Sequence, residues 1–297
     1  MIGNIRNNAK KILTNYGFYV CIFMTVFLCF SAHIYQQPGT QDLYSAIMSL
    51  QTFDREFMLR DTSFCSFEVM RKGAGSWLSM FIPIISAFAF IPLVCDEYEA
   101  KSVRFEIFRT SRLSYNASRY ITACLCGGFA VMLGYILFIL MEYAVFPNIS
   151  DYDVHSRETY MMFLQYILPH IEETGFLPVV LRNLVFMFLY GCVNAAPAIA
   201  LTSVIRNKYL DLCIPFFLKY ALLQTCVLVQ TAAVDDYGYV NIKWMKFISI
   251  INPDSLAYMT NYLYSNWILI VVYSVSLILL LGIAYLILQN KRGDCGE

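Results

Sequence analysis

Charge is scarce in this sequence. Asp, Glu, Lys and Arg make up 14% of its 297 residues, where a soluble domain carries about 25%. So few charges cannot clothe a water-facing surface, and lipid must solvate much of the chain. Neither sign is in excess, with 21 basic against 21 acidic residues, so net charge points to no nucleic-acid partner. Only three histidines occur, far apart, and there is no C-x-x-C pair; the ligand spacing of a zinc site is missing. So is a nucleotide loop. Gly73-Ala74-Gly75 follows Arg71-Lys72 but leads to no Lys-Ser/Thr, so ATP and magnesium would have to be bound by another subunit. H-E-x-x-H, G-x-S-x-G and S-x-x-K elements are absent as well. The chain reads as a non-enzyme with no cofactor of its own. The ten cysteines form no disulfide framework. Eight (Cys21, Cys29, Cys95, Cys124, Cys126, Cys192, Cys213 and Cys226) fall in or at the ends of apolar runs. The first apolar run is too long for a cleavable signal peptide, and no small-residue cleavage site follows it.

What the chain has is apolar length: 59% of residues are hydrophobic and 16% aromatic. Six unbroken runs stand out, at about 16–35, 77–95, 120–141, 179–205, 212–230 and 267–288. Each suits a helix crossing a ~30 Å hydrocarbon core at 1.5 Å per residue. The alternating ~10-residue signature of a membrane barrel is absent. The expectation is an all-α integral membrane protein of six spans in one domain over 1–297. Tyr16, Tyr35, Trp77, Tyr120 and Trp267 mark span ends, as interfacial aromatic rings do.

Orientation follows from Lys and Arg. With both termini inside, the short internal segments hold 12 basic residues and the longer external loops hold 8, which favours that orientation. Residues 1–15 interleave Ile2, Ile5, Ile12 and Leu13 with Arg6, Lys10 and Lys11. This suits an amphipathic interfacial helix, or simply a positively flanked start. Two external loops carry apolar residues at helical spacing, around 43–58 and 160–168. The third, 232–266, contains the polar turn Asn252-Pro253-Asp254-Ser255.

The internal segment between the second and third runs is the strongest local signal. Asp96-Glu97-Tyr98-Glu99 opens it, apolar Val103, Phe105, Ile107 and Phe108 follow, and Arg109, Ser111 and Arg112 close it. Acids at the start suit a helix N-terminus. A short amphipathic helix here would fill a groove on a partner, with Arg and Glu at the rim; a basic loop that merely fixes topology is the alternative. The segment resembles the region after the second span in membrane subunits of ABC-2-type (ATP-binding-cassette) exporters. There an acidic-Tyr-Glu start, a small residue, a short helix and a P/T-x-S-R element lead into span three. Arg109-Thr110-Ser111-Arg112 stands at that last position, while Lys101-Ser102 replaces the usual Gly-Thr. Asn252-Pro253 is similar to the family's external Asn-Pro element. The resemblance implies a permease that dimerises with itself or a sister chain and docks on a separate cytoplasmic ATPase. It implies a coupling helix over Glu99–Arg112, with Glu99, Arg104, Phe105, Phe108, Arg109 and Arg112 as docking residues.

Polar residues inside spans are the remaining candidates. Lys219 falls about eight residues into the fifth run, roughly 12 Å deep, and reads as the one clear charge within a span. It must snorkel, pair or face a cavity. Two readings stand for Asn194 and Gln224: they line a pathway cavity with Lys219, or they are interhelical hydrogen bonds worth about 1 kcal/mol or less each. Pro83, Pro92, Pro197 and Pro215 are candidate kinks. A polytopic protein outside the ABC class is the rival, as a sensor, a scaffold or an ion-coupled carrier; the last should show several intramembrane acids and broken helices. An intramembrane enzyme ranks third. Glu172-Glu173 is similar to the paired glutamates of prenyl-type proteases, but no matching histidine motif lies within a span.

Overall fold

The computed structural model describes residues 2–39, 42–100, 110–168, 175–205, 207–232, 241–257 and 267–294. The chain is helical almost throughout. Five helical segments are long and apolar enough to cross a membrane, and a bent helix pair at the N-terminus brings the number to six if it counts as one span.

That pair is α1 (Ile2–Leu13) and α2 (Tyr16–Phe30), bent by 63°. The bend is written locally: Asn15 caps α2, its Oδ1 accepting the Gly17 amide at 3.1 Å. Helix α2 ends at Phe30, five residues before the apolar run does. The Ser31 side chain turns back onto the Phe27 carbonyl. The chain then enters strand β1 (His33–Gln36), which pairs antiparallel with β2 (Leu43–Ser45). Gly39 takes φ 95° in the connection, a conformation open to glycine. Short helices α3 (Ala46–Thr52), α4 (Arg55–Met58) and α5 (Ser66–Gly73) complete this cap. Tyr35, Phe53, Phe57 and Phe64 pack ring on ring at its centre, with centroids 4.6 to 6.2 Å apart.

The second apolar run becomes α6 (Ser76–Phe88) and α7 (Ile91–Glu99), broken at Ala89-Phe90. Pro92 has no N–H for the Phe88 carbonyl. Gly17 lets α2 close on that carbonyl, since a Cβ there would stand 3.1 Å from it. The third run extends into the 34-residue α8 (Arg112–Val145), capped by Ser111. Helix α9 (Val154–Ile167) covers the second loop, where the apolar spacing predicts a helix. Helices α10 (Phe176–Leu201), α11 (Lys208–Ala232) and α13 (Trp267–Asp294) take the remaining three runs.

Lipid tails are as apolar as leucine, so close helix contact needs small residues. The α8–α10 pair has them. A Cβ on Gly191 would meet the Gly128 Cα at 2.8 Å and the Gly127 carbonyl at 2.9 Å. Gly134 gives α2 the same closeness at Thr25. Tyr135, fully buried, donates to the Met70 carbonyl and accepts from Asn183 Nδ2.

The third loop is more than a bare connection. Residues 242–251 form helix α12 (Ile242–Ile251), followed by a 3₁₀ turn, Pro253–Leu256, that tucks against α10 and brings Asp254 to Lys219 in the middle of α11. Ten residues span about 15 Å, half a hydrocarbon core. Irregular backbone at that depth is tolerated where protein or a cavity covers it; Asp254, Ser255, Leu256 and Ala257 are all buried.

Candidate functional site

The centre of the bundle is a buried charge pair. Lys219 Nζ and Asp254 Oδ1 are 2.8 Å apart, both side chains 6% exposed. Lys219 also donates to Tyr190 Oη at 2.7 Å and to the Ser79 backbone carbonyl. Tyr190 in turn donates to Asp254 Oδ1 at 2.5 Å. Four elements meet there: α6 with Ser79, α10 with Tyr190, α11 with Lys219 and the turn after α12 with Asp254. The Ser79 carbonyl is available because Pro83, four residues on, has no N–H to occupy it.

A cavity of about 160 Å³ adjoins the pair. Pro83, Pro197 and Pro215 line it from three helices, so its walls are the places where three backbone ladders are interrupted. Asn194 and Lys219 are both in its wall, beside Asn252 and Ser274. Asn194 donates Nδ2 to the Tyr190 carbonyl one turn back at 2.8 Å. Gln224 is not brought there; it lies on the exposed face of α11. Apart from Tyr273, the rest of the lining is apolar. Chemically, the arrangement offers an apolar chamber with one fixed dipole on its wall.

The reading of Lys219 as the lone charge is corrected: its counter-ion comes from the segment taken as an external turn. Asp211, in the first turn of α11, is buried too, and its Oδ2 accepts from the Cys95 thiol at 3.8 Å. A lysine carrying no local acid was itself the clue, since a buried ammonium requires a partner. Sequence spacing could not choose which acid supplies it.

A second junction gathers at the end of α7, where the segment between the second and third apolar runs begins. Glu97 accepts from Lys11 of α1 at 2.8 Å and from Arg119 of α8 at 2.9 Å. Arg119, 4% exposed, also donates to the Val94 carbonyl and lies over the Tyr98 ring at 4.5 Å. Tyr98 Oη accepts from Gln289 of α13 at 2.9 Å. Asp96, Glu97 and Glu99 therefore sit in the last turns of α7; the helix expected after them falls on residues outside those described. A favourable dipole placement contributes about 0.3–1 kcal/mol, and Glu97 forgoes it for two cationic partners. Of the candidate docking residues, Glu99 is exposed at the end of α7 and Arg112 is the first residue of α8. Arg104, Phe105, Phe108 and Arg109 lie outside the described residues. Glu97, Arg119 and Lys11 were not singled out by sequence, although one acid between two basic segments was visible.

No family model, curated protein or solved structure matches this chain.

Proposed function

We propose that this chain is the membrane-spanning permease subunit of an ATP-driven exporter of the ABC-2 type. Six spans would place both termini on the cytoplasmic side of the plasma membrane. A separate cytoplasmic ATPase would bind ATP and magnesium, and a second copy or a sister permease would complete the pathway. The observation that carries this reading is the junction of Glu97, Arg119, Lys11 and Tyr98. It fastens the root of the 101–109 segment to α1, α8 and α13, so a push on that segment is delivered to three helices at once. ATP binding would then bias the bundle between two states through that root. The bent α1–α2 pair and the apolar faces that α11 and α13 leave exposed, such as Phe217 and Leu280, agree with an interfacial helix and with burial by lipid or a second copy. Cargo with an apolar body suits a chamber lined this way.

The test is co-purification with candidate ATPases after co-expression. Charge reversal at Arg109 and Arg112, or truncation of Phe105 and Phe108 to alanine, should abolish capture while the permease still reaches the membrane. An ATPase that stays bound to both variants removes the coupling assignment.

A second reading has its own support. The Lys219–Asp254 pair and the short α12 agree with the intramembrane acid and broken helix expected of an ion-coupled carrier. Transport that persists without any ATPase and stops with Asp254→Asn would favour it.

A further inference from the structure

The chamber beside Lys219 and Asp254 has no charge to offer a ligand. An ammonium has three N–H donors, and Ser79, Tyr190 and Asp254 take all three from Lys219. No other charged residue lines the chamber among the described residues. An ionised ligand would leave water for a wall without a free counter-charge, which is costly. Asn194 is the group left with something to give. Its Nδ2 is spent on the Tyr190 carbonyl, but its Oδ1 accepts no hydrogen bond among the described residues. Nor is that oxygen sealed from contact, as Asp211 Oδ1 and Tyr285 Oη are. Asn194 is 5% exposed and stands in the chamber wall, so the chamber is the opening its oxygen meets. Asn252 shows the reverse arrangement. Its Oδ1 accepts from the Asp254 amide at 2.9 Å, and its Nδ2, in the same wall, donates to no described residue. Buried polar atoms are nearly always paired, so an open acceptor in an apolar chamber calls for a donor from outside the chain.

We infer that this chamber binds a neutral, ring-sized molecule that donates a hydrogen bond to Asn194 Oδ1; phenols are the simplest members of that class. Size agrees, since a cavity of about 150 Å³ holds a benzene ring and the chamber measures about 160 Å³. Access agrees as well. Leu218 and Leu222 line the chamber and are also exposed on the outside of α11. In a bilayer that rim meets lipid, where a neutral molecule with an apolar body dissolves. The inference goes beyond the proposed function. It names a small molecule that an exporter or a carrier would move, and it stands or falls without either.

The test uses the full chain in lipid nanodiscs, with no ATPase present, and radiolabelled phenol, toluene and benzoate as probes. Equilibrium dialysis against empty discs separates binding from partition into lipid. Phenol should bind saturably. Referred to each probe's own partition, it should be preferred over toluene, its isostere without the hydroxyl, by about three- to tenfold, the scale of one neutral hydrogen bond. Benzoate, ionised at pH 7, should bind at least about tenfold more weakly than phenol. Asn194→Leu should bring the phenol-to-toluene ratio to about one while toluene still binds, a change that general loosening of the bundle would not produce. If that variant fails to fold, Leu222→Trp at the exposed rim takes its place and should lower binding of both neutral probes about tenfold. Equal binding of phenol and toluene by wild type overturns the proposal, as does a preference that survives Asn194→Leu or binding untouched by Leu222→Trp. Benzoate bound as well as phenol overturns it too. So does the absence of saturable binding, which would mean that lipid tails or water fill the chamber. Phenol binding by a chain that no ATPase captures leaves this inference standing and removes the exporter reading alone.

Discussion

Lys219 donates to the backbone carbonyl of Ser79, the group that Pro83 leaves without a helical donor. The two features are therefore coupled: the proline makes the acceptor and the lysine occupies it. Replacing Lys219 with Met should take the side-chain donor from the carbonyl and leave the Asp254 carboxylate without its counter-charge, held by the Tyr190 hydroxyl. Adding Pro83→Ala returns an N–H to the ladder and satisfies the carbonyl. We expect Pro83→Ala to be more favourable by about 1–3 kcal/mol in the Lys219→Met background than in wild type. Thermal melts of the four detergent-solubilised proteins measure this difference. Additive effects would mean that the proline and the lysine act independently.

The charge pair itself makes a sharper claim. Removing one partner of a buried pair costs about 3–5 kcal/mol, while replacing both with apolar groups of similar size is often nearly neutral. Asp254→Leu and Lys219→Met should each destabilise strongly, and the double variant should recover much of the loss. If the pair also serves transport, the recovered double variant will be folded yet inactive. Stability and transport assays on the same preparations separate those two roles.

Much of this architecture could be read from the residues, for reasons that differ by element. Apolar length located the helices because a bilayer fixes how much helix is needed, and the residue types at 16, 77 and 267 marked where they start. Asn15 and Ser111 are caps of ordinary chemistry. What the residues did not reveal is non-local. The turn at 252–255 is polar, and polar turns belong in water unless something buried needs them; only the fold brings Asp254 to Lys219. Glu97 looked like a helix opener by position along the chain, but Lys11 and Arg119 reach it from 86 and 22 residues away. The β1–β2 hairpin hid inside an apolar run because Ile34 and Tyr35 suit lipid and a cap core equally well.

Helix contact between α8 and α10 yields a prediction that needs no charge. Gly191→Val places atoms where Gly128 Cα and the Gly127 carbonyl already stand. Backbone cannot yield as a flexible side chain does, so the helices must separate. A loss of about 1–3 kcal/mol is expected, the usual scale of overpacking. Gly3→Ala is the control: no atom lies within 4 Å of its Cβ position, so only helix propensity acts, a gain of up to about 1 kcal/mol. Melting temperatures that move the same way in both variants would contradict the close packing.

Glu68 in the cap predicts a pH dependence whose sign is fixed. Burial pushes its carboxyl up, but Arg71 and Lys72 outweigh that and hold it below the usual carboxylate range. Arg71 Nε donates at 2.8 Å, Lys72 Nζ is 3.3 Å away and Tyr160 Oη donates at 3.4 Å. A carboxyl depressed by folding stabilises the native state fully above its unfolded value, about 4.3, and that contribution is lost as pH falls through the lower folded value. Stability should therefore be flat from neutral pH to about 5 and fall below about 4. Glu68→Gln should be less stable at pH 7 and show a shallower acid decline. Had burial won, stability would instead fall as pH rises toward neutrality. Hydrogen exchange in α5 and α9 at pH 7 and pH 4, corrected for intrinsic rates, distinguishes the two directions in the cap itself.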